Sequence, residues 1–252
     1  MAIASKFEIV DVAAVKHNTE LVEMLGLNSN FTFSRKVLRA TIRLPHVGNT
    51  DCYVVHFKSK RAMIESDEST TSSAKTEPPS SEKNIIDTLK ANVAGSWGST
   101  IQRGSEATLL MMDIIARRES TQNPMVLMGD FNNDLADGVL SHLLTNTLRF
   151  APTFDSNTYL AKYCLNDAWQ LFARSQLNLA NQNNENTVDL KRKPTHYFGA
   201  SSSVLDYILL SCEFDSSYDD SFFEVSQYHT YDRHLINPEF ERDDLSTDHG
   251  VV

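Results

Sequence analysis

Asp130 and Asn132 close the run Met125-Val-Leu-Met-Gly-Asp-Phe-Asn132, an apolar strand that delivers a carboxylate and an amide two residues apart. Alternation along a strand puts both on one side. A carboxylate placed this way can take a proton from water, and an amide NH2 beside it can hold that water or a phosphate oxygen. A second apolar run, Ser203-Val-Leu-Asp-Tyr-Ile-Leu-Leu210, carries one acid, Asp206. That acid is costly to bury unless a cation or a hydrogen-bond donor meets it. A partner is available in Ser246-Thr-Asp-His249, just ahead of the apolar Gly250-Val-Val252. A histidine held by a carboxylate has its tautomer fixed and its basicity raised, so Asp206 is expected to orient His249.

Together, Val54-Val-His-Phe-Lys-Ser59, Gly129-Asp-Phe-Asn132, Leu205-Asp-Tyr-Ile208 and Thr247-Asp-His249 resemble, in order and rough spacing, motifs of the endonuclease/exonuclease/phosphatase superfamily, the DNase I-like metal-dependent phosphoesterases. Met1-Ala-Ile-Ala-Ser-Lys6 is similar to the strand that follows the family's second acidic motif, and Pro194-Thr-His196 precedes the Asp206 strand as it does there. The resemblance implies an α/β fold, the DNase I-like four-layer α/β/β/α sandwich, with strand ends converging on one cleft. It also implies an enzyme that hydrolyses phosphate esters with Mg2+ or Mn2+. The catalytic residues would be His56, Asp130, Asn132, Asp206 and His249, and Asp248, Asp130 and Asn132 would hold the metal. In that assignment Asp130 activates water, His249 contacts the scissile phosphate and His56 is the general acid for the leaving group. The family's opening strand with an asparagine, and its second strand ending in Gln-Glu, have no counterpart, so the sandwich is expected to be incomplete at its N-terminus. The substrate class expected first is that of a nuclease-like phosphodiesterase. A small-molecule or lipid phosphoesterase of the inositol phosphate or sphingomyelin type, and a truncated domain that binds without cutting, are the alternatives. The expected partner is a phosphate-ester substrate, nucleic acid included.

These residues need a scaffold of alternating strands and helices. Residues 2–12 read as a strand, and 31–44 with 51–57 as a strand pair turning near Pro45-His-Val-Gly-Asn49. Residues 65–84 are rich in Ser, Thr, Glu and Pro and cannot offset their ordering entropy, so they are expected to be a mobile insertion. Helical periodicity returns over 99–118, with Ser105 as N-cap and Ala107, Leu110, Met111, Ile114 and Ile115 as the apolar stripe. Arg103 and Glu106 read as a local ion pair worth little if exposed. Short helices are expected over 138–144 and 166–173, the second around Asp167-Ala-Trp169, and loops over 175–193 and 213–244. Within the last, His229-Thr-Tyr-Asp-Arg-His234 has irregular spacing for a metal site and reads as structural. Lys58, Lys60 and Arg61 read either as phosphate contacts or as a solvated strand end.

A chain of 252 residues can bury one large core, and residues 1–252 read as a single domain. No run reaches the roughly 18 apolar residues of a membrane span. No basic stretch followed by an apolar one opens the chain, which favours the cytoplasm without fixing the compartment. The net charge of −10 and a pI near 5.2 argue against tight nonspecific DNA binding, although a bound cation can override that sign locally. Cys52, Cys164 and Cys212 lack metal-ligand spacing and read as small buried hydrophobes.

Overall fold

Three strands bring chemistry-bearing residues to one edge, and the rest of the fold holds those strands in register. The computed structural model describes residues 1–63, 82–144, 159–182, 190–219, 221, 223–236, 238–239 and 246–252. A mixed sheet is built from β1 (Ile9–Ala14), β2 (Leu38–Leu44), β3 (Gly48–His56), β4 (Met125–Asp130), β5 (Asn166–Asp167) and β8 (Asp206–Leu210). Its spatial order is β1-β2-β3-β4-β8-β5. Only β3 and β4 run parallel, and the crossover between them contains α2 (Glu82–Thr121). A parallel pair needs such a crossover, because a tight hairpin cannot reverse the chain twice. The β2–β3 hairpin does turn tightly, with His46 at φ 65° and Gly48 at φ 92°.

One sheet face is dry. Tyr53, Val55 and Phe57 alternate inward from β3 and its end, Leu127 from β4, and Tyr207 and Leu209 from β8. Ala107, Leu110, Met111 and Ile114 of α2 cover them. Burying a side chain of that size stabilises by roughly 1.5–3 kcal/mol, and Leu110→Ala would cost about 3 kcal/mol with the cavity included. On the other face Ala40, Ile42 and Cys52 pack with half-buried Val126 and Met128, under Ile3 and Phe7. The α/β class matches the expectation. Among the described residues the second layer of strands consists of the hairpin β6 (His196–Phe198) with β7 (Ser201–Ser203) and two single bridges, His196 with His249 and Tyr231 with Val251.

Several elements differ from the sequence reading. The strand expected over 2–12 lies at Ile9–Ala14, and α1 (Thr19–Met24), capped by Asn18, was not foreseen. The helix expected over 99–118 starts at Glu82, which takes in the last residues of the insertion expected over 65–84; residues 64–81 lie outside the described residues. At 40 residues it is about 60 Å long, given a rise of 1.5 Å per residue. Its first half shows Ile85, Leu89, Val93 and Trp97 to solvent, so no single stripe faces a core there. Ser105 is mid-helix and caps nothing. Gly104 beside it is a packing glycine, since a Cβ would meet Val139 Cγ1 at 3.2 Å. Asn166 and Asp167 form an edge strand, after which α3 (Ala168–Gln182) runs into the segment expected to be a loop. Over 138–144 only Ser141–Leu144 is wound, as a 3-10 turn. The 213–244 stretch includes the short α4 (Arg233–Ile236). Among the described residues no helix is long and apolar enough to cross a membrane.

Candidate active site

Strand register brings His56, Asp130 and Asp206 side by side: His56 is opposite Asp130 on β3 and β4, and Asp130 is opposite Asp206 on β4 and β8. Gly129 permits the approach. It sits at φ 136°, and a Cβ there would lie 2.0 Å from the Val55 carbonyl oxygen. Beneath the three residues Phe57, Phe131 and Tyr207 stack edge to face, with ring centroids 5.4 Å apart in both pairs. Such pairs add roughly 0.5–1.5 kcal/mol beyond area burial and give the polar edge a rigid floor.

The loop after β4 fixes the Asp130 carboxylate. Asn132 takes the left-handed conformation (φ 52°), its backbone N–H donates to Asp130 Oδ1 at 2.8 Å, and its Nδ2 donates to Oδ2 at 2.9 Å. Nδ2 also donates to the Phe57 carbonyl at 3.0 Å. The sequence points to an NH2 available for water or phosphate; in the structure both of its protons are spent inside the protein, and Asn132 positions Asp130 instead. His56 Nε2 stands 3.2 Å from Asp130 Oδ2.

His249 is held as expected, with Nδ1 2.8 Å from Asp206 Oδ2. Fully buried Thr195 fixes both partners. Its hydroxyl accepts the backbone N–H groups of Leu205 (2.9 Å) and Asp206 (3.1 Å), and its carbonyl accepts that of Gly250 at 2.6 Å. His234 Nε2 bonds the His249 carbonyl at 3.0 Å, so the His229–His234 segment is a brace, in line with its structural reading.

Electrostatics separates the groups. Burial raises the Asp130 pKa, with the Asp206 charge adding to it and the Asn132 N–H and the two histidines offsetting only part. Burial lowers that of His56 despite the pull of Asp130. For His249 burial also acts downward, but the hydrogen bond and charge of Asp206, joined by Asp130 and Asp248, outweigh it and the net shift is upward. Titratable groups pushed apart in one cleft are the usual arrangement for acid and base roles.

Two donor clusters share His249. A carboxylate oxygen of Asp130, one of Asp206 and a ring nitrogen of His249 lie within 4.8 Å of one another, and so do donor atoms of His196, Asp248 and His249. Asp130 and Asp248, assigned to one metal site by the resemblance, thus fall in separate clusters. The first fits a divalent cation: it supplies two carboxylates, and the charge on Asp130 is costly because, among the described residues, no lysine or arginine pairs with it.

Around this edge the sequence reading missed several residues. Glu106 and Arg103, expected as a local ion pair, are buried in α2 and hold the chain just past His56. Glu106 accepts the N–H groups of Ser34 (2.6 Å) and Lys58 (2.8 Å), while Arg103 donates to the Lys58 carbonyl at 3.0 Å. Lys58 Nζ reaches the Arg61 carbonyl at 3.4 Å. Exposed Arg35, not singled out before, is near enough for its charge to lower the His56 pKa. Arg192, in a segment read as loop, lies 4.6 Å over the Tyr207 ring and pairs with buried Asp167. His196 was expected only as part of Pro194-Thr-His196 ahead of the Asp206 strand, and its partners lie more than fifty residues downstream.

Residues 1–217 match the sequence profile of the Endonuclease/Exonuclease/phosphatase family. No curated protein sequence matches the chain. Among solved structures it is similar to the human Nocturnin catalytic domain with bound sulfate anion, at 15% identity and a TM-score of 0.38, over 82% of this chain and 49% of that one. It is similar to truncated Caenorhabditis elegans TDP2 at 12% identity and a TM-score of 0.40, over 84% and 56% of the two chains. The endonuclease/exonuclease/phosphatase from Beutenbergia cavernae DSM 12333 shares 16% identity at a TM-score of 0.40, over 98% of this chain and 44% of that one. The chain spans about half the length of these structures.

Proposed function

Because the chain belongs to the Endonuclease/Exonuclease/phosphatase family, we propose that it hydrolyses phosphate esters, as a nuclease-like phosphodiesterase that uses Mg2+ or Mn2+. The observation that carries this reading is the line His56, Asp130, Asp206 and His249 along adjacent strand ends, with Asp206 holding His249 at 2.8 Å. Asp130 and Asp206 would hold the cation, with Asp248 at the rim. When bound, the cation supplies polarisation of the phosphoryl group and neutralises charge on the leaving oxygen.

Asp130, its proton affinity raised by burial, takes the proton of the attacking water. Asn132 keeps that carboxylate in place. His249 carries a positive charge more readily than an ordinary histidine, and its Nε2, opposite the nitrogen held by Asp206, contacts a phosphoryl oxygen and can hand on a proton. His56, kept neutral by burial, is the weaker proton source, so its part shifts from general acid toward steadying Asp130. A small phosphate ester in place of a nucleic acid is favoured by one feature, the net charge of −10.

Hydrolysis of bis-p-nitrophenyl phosphate, set against the p-nitrophenyl monoester, tests the reading in Mg2+ and in Mn2+. Diester turnover that depends on the cation is expected. The absence of turnover of either ester with either cation would overturn the proposal.

A further inference from the structure

The second donor cluster has a different chemistry from the first. His196 lies on β6 and is bridged to His249, and their rings stand 5.1 Å apart, inclined at 55°. With the exposed carboxylate of Asp248 they bring two imidazoles and one oxygen donor within 4.8 Å of one another. Mg2+ takes nearly all-oxygen octahedral shells and gives up its water reluctantly, whereas imidazole donors suit Zn2+ and Co2+. The surroundings already resemble a finished site. Nδ1 of His249 is taken by Asp206, which leaves Nε2 as the nitrogen with a lone pair, and a carboxylate behind a ligating histidine fixes its tautomer and strengthens it as a donor. The backbone carrying these residues is pinned by Thr195, by His234 and by the pairing of Tyr231 with Val251, so little ordering is needed on binding.

We propose that His196, Asp248 and His249 form a binding site for a borderline transition ion, Zn2+ being the type case, and that filling it inhibits the enzyme. Nε2 cannot bind an ion through its lone pair and also donate a proton to a phosphoryl oxygen, so a Zn2+ ion held by His249 removes that residue from catalysis. The ion site stands on the donor geometry alone; its inhibitory effect rests on the phosphoesterase reading.

Both parts can be read separately. The metal-free protein is titrated with Co2+, followed by its visible absorption, and then with Zn2+ in competition, in the presence of excess Mg2+. The wild type should bind Zn2+ at least roughly tenfold tighter than His196→Asn, a conservative figure because even outer-shell substitutions cost 10–100-fold. X-ray absorption of the Zn2+-loaded wild type should find two imidazoles, a readout that does not depend on the variant folding. Equal Zn2+ affinity in the wild type and a folded His196→Asn, or a shell of oxygens only, would overturn the site. In turnover assays with Mg2+, Zn2+ should inhibit the wild type, while His196→Asn should keep its basal rate and lose that sensitivity. Equal inhibition of the two would overturn the inhibitory role. A tight two-imidazole site in a protein that hydrolyses no ester would support the site and sink the phosphoesterase reading instead.

Discussion

Buried Asp51 near the start of β3 and half-buried Asp130 at the end of β4 are two carboxylates on one pair of strands. In the register they stand five positions apart, roughly 16 Å at 3.3 Å per residue. Asp51 is met by Arg117, whose Nε and Nη2 donate at 2.9 and 3.2 Å, and by Thr41, Thr121 and Asn123. Burial presses its pKa upward, yet the hydrogen bonds from Arg117 and Thr41 and the Arg117 charge prevail and the net shift is downward. Asp130 is equally well oriented, but its neighbours are two histidines, an amide and another acid, and its shift is upward. Both ends cost desolvation, and only one is compensated by a permanent cation. The structural end has its electrostatics completed within the fold, while the other keeps a charge deficit that a cation and a phosphate can fill.

The sharpest way to break this comparison is to neutralise both acids in turn. Asp130→Asn should lower phosphodiester turnover roughly 1,000-fold, mid-range for a lost general base, without lowering the melting temperature. An active Asp130→Asn enzyme would move the water-activating role elsewhere. His249→Ala should cost roughly 100-fold, and Asp206→Asn somewhat less, because the amide cannot stabilise the imidazolium with a full charge. Residues acting as one unit are not additive, so the double variant should be little slower than His249→Ala alone. Multiplying losses would mean that Asp206 works independently of the histidine it holds. Asp51→Asn should leave turnover unchanged and destabilise by about 2 kcal/mol, below the figure for a fully buried pair because Arg117 keeps 23% exposure. Differential scanning calorimetry should place its midpoint about 6 °C lower.

The active end was more legible than the structural one, for a physical reason. Asp130 and Asp206 each interrupt an apolar strand, and a charge in such a run is visible without any knowledge of its partners. Asp51 precedes its apolar run and looks like an ordinary turn residue; its meaning depends on Arg117, which lies on a helix 66 residues away. His196 was hidden in the same way, because only the bridge to His249 gives it a role. The helix boundary failed on a different point. Gly104-Ser105 carries the signature of a helix start, but the glycine is there to let α2 approach Val139. The residues before it do repeat at helical spacing, with Ile85, Leu89, Val93 and Trp97 four apart, but they are exposed, so the stripe marks no core-facing side.

The smallest effect separates the two ends by sign. Asp51 has a folded-state pKa below its unfolded value near 3.9, so its contribution to stability is complete above that value and is lost as pH falls through the folded one. Asp130 has a folded-state pKa above its unfolded value, so in metal-free protein its ionised form costs stability at neutral pH. That cost disappears as pH falls through the raised value. Melting temperatures of the wild type, Asp51→Asn and Asp130→Asn, measured with chelator from pH 7 downward, should therefore show two differences of opposite sign. Asp51→Asn should melt below the wild type at neutral pH and converge with it only in strong acid. Asp130→Asn should melt slightly above the wild type at neutral pH and converge with it earlier in the titration. Two differences of the same sign would mean that Asp130, like Asp51, has a permanent cationic partner, and the contrast between the two ends would fail.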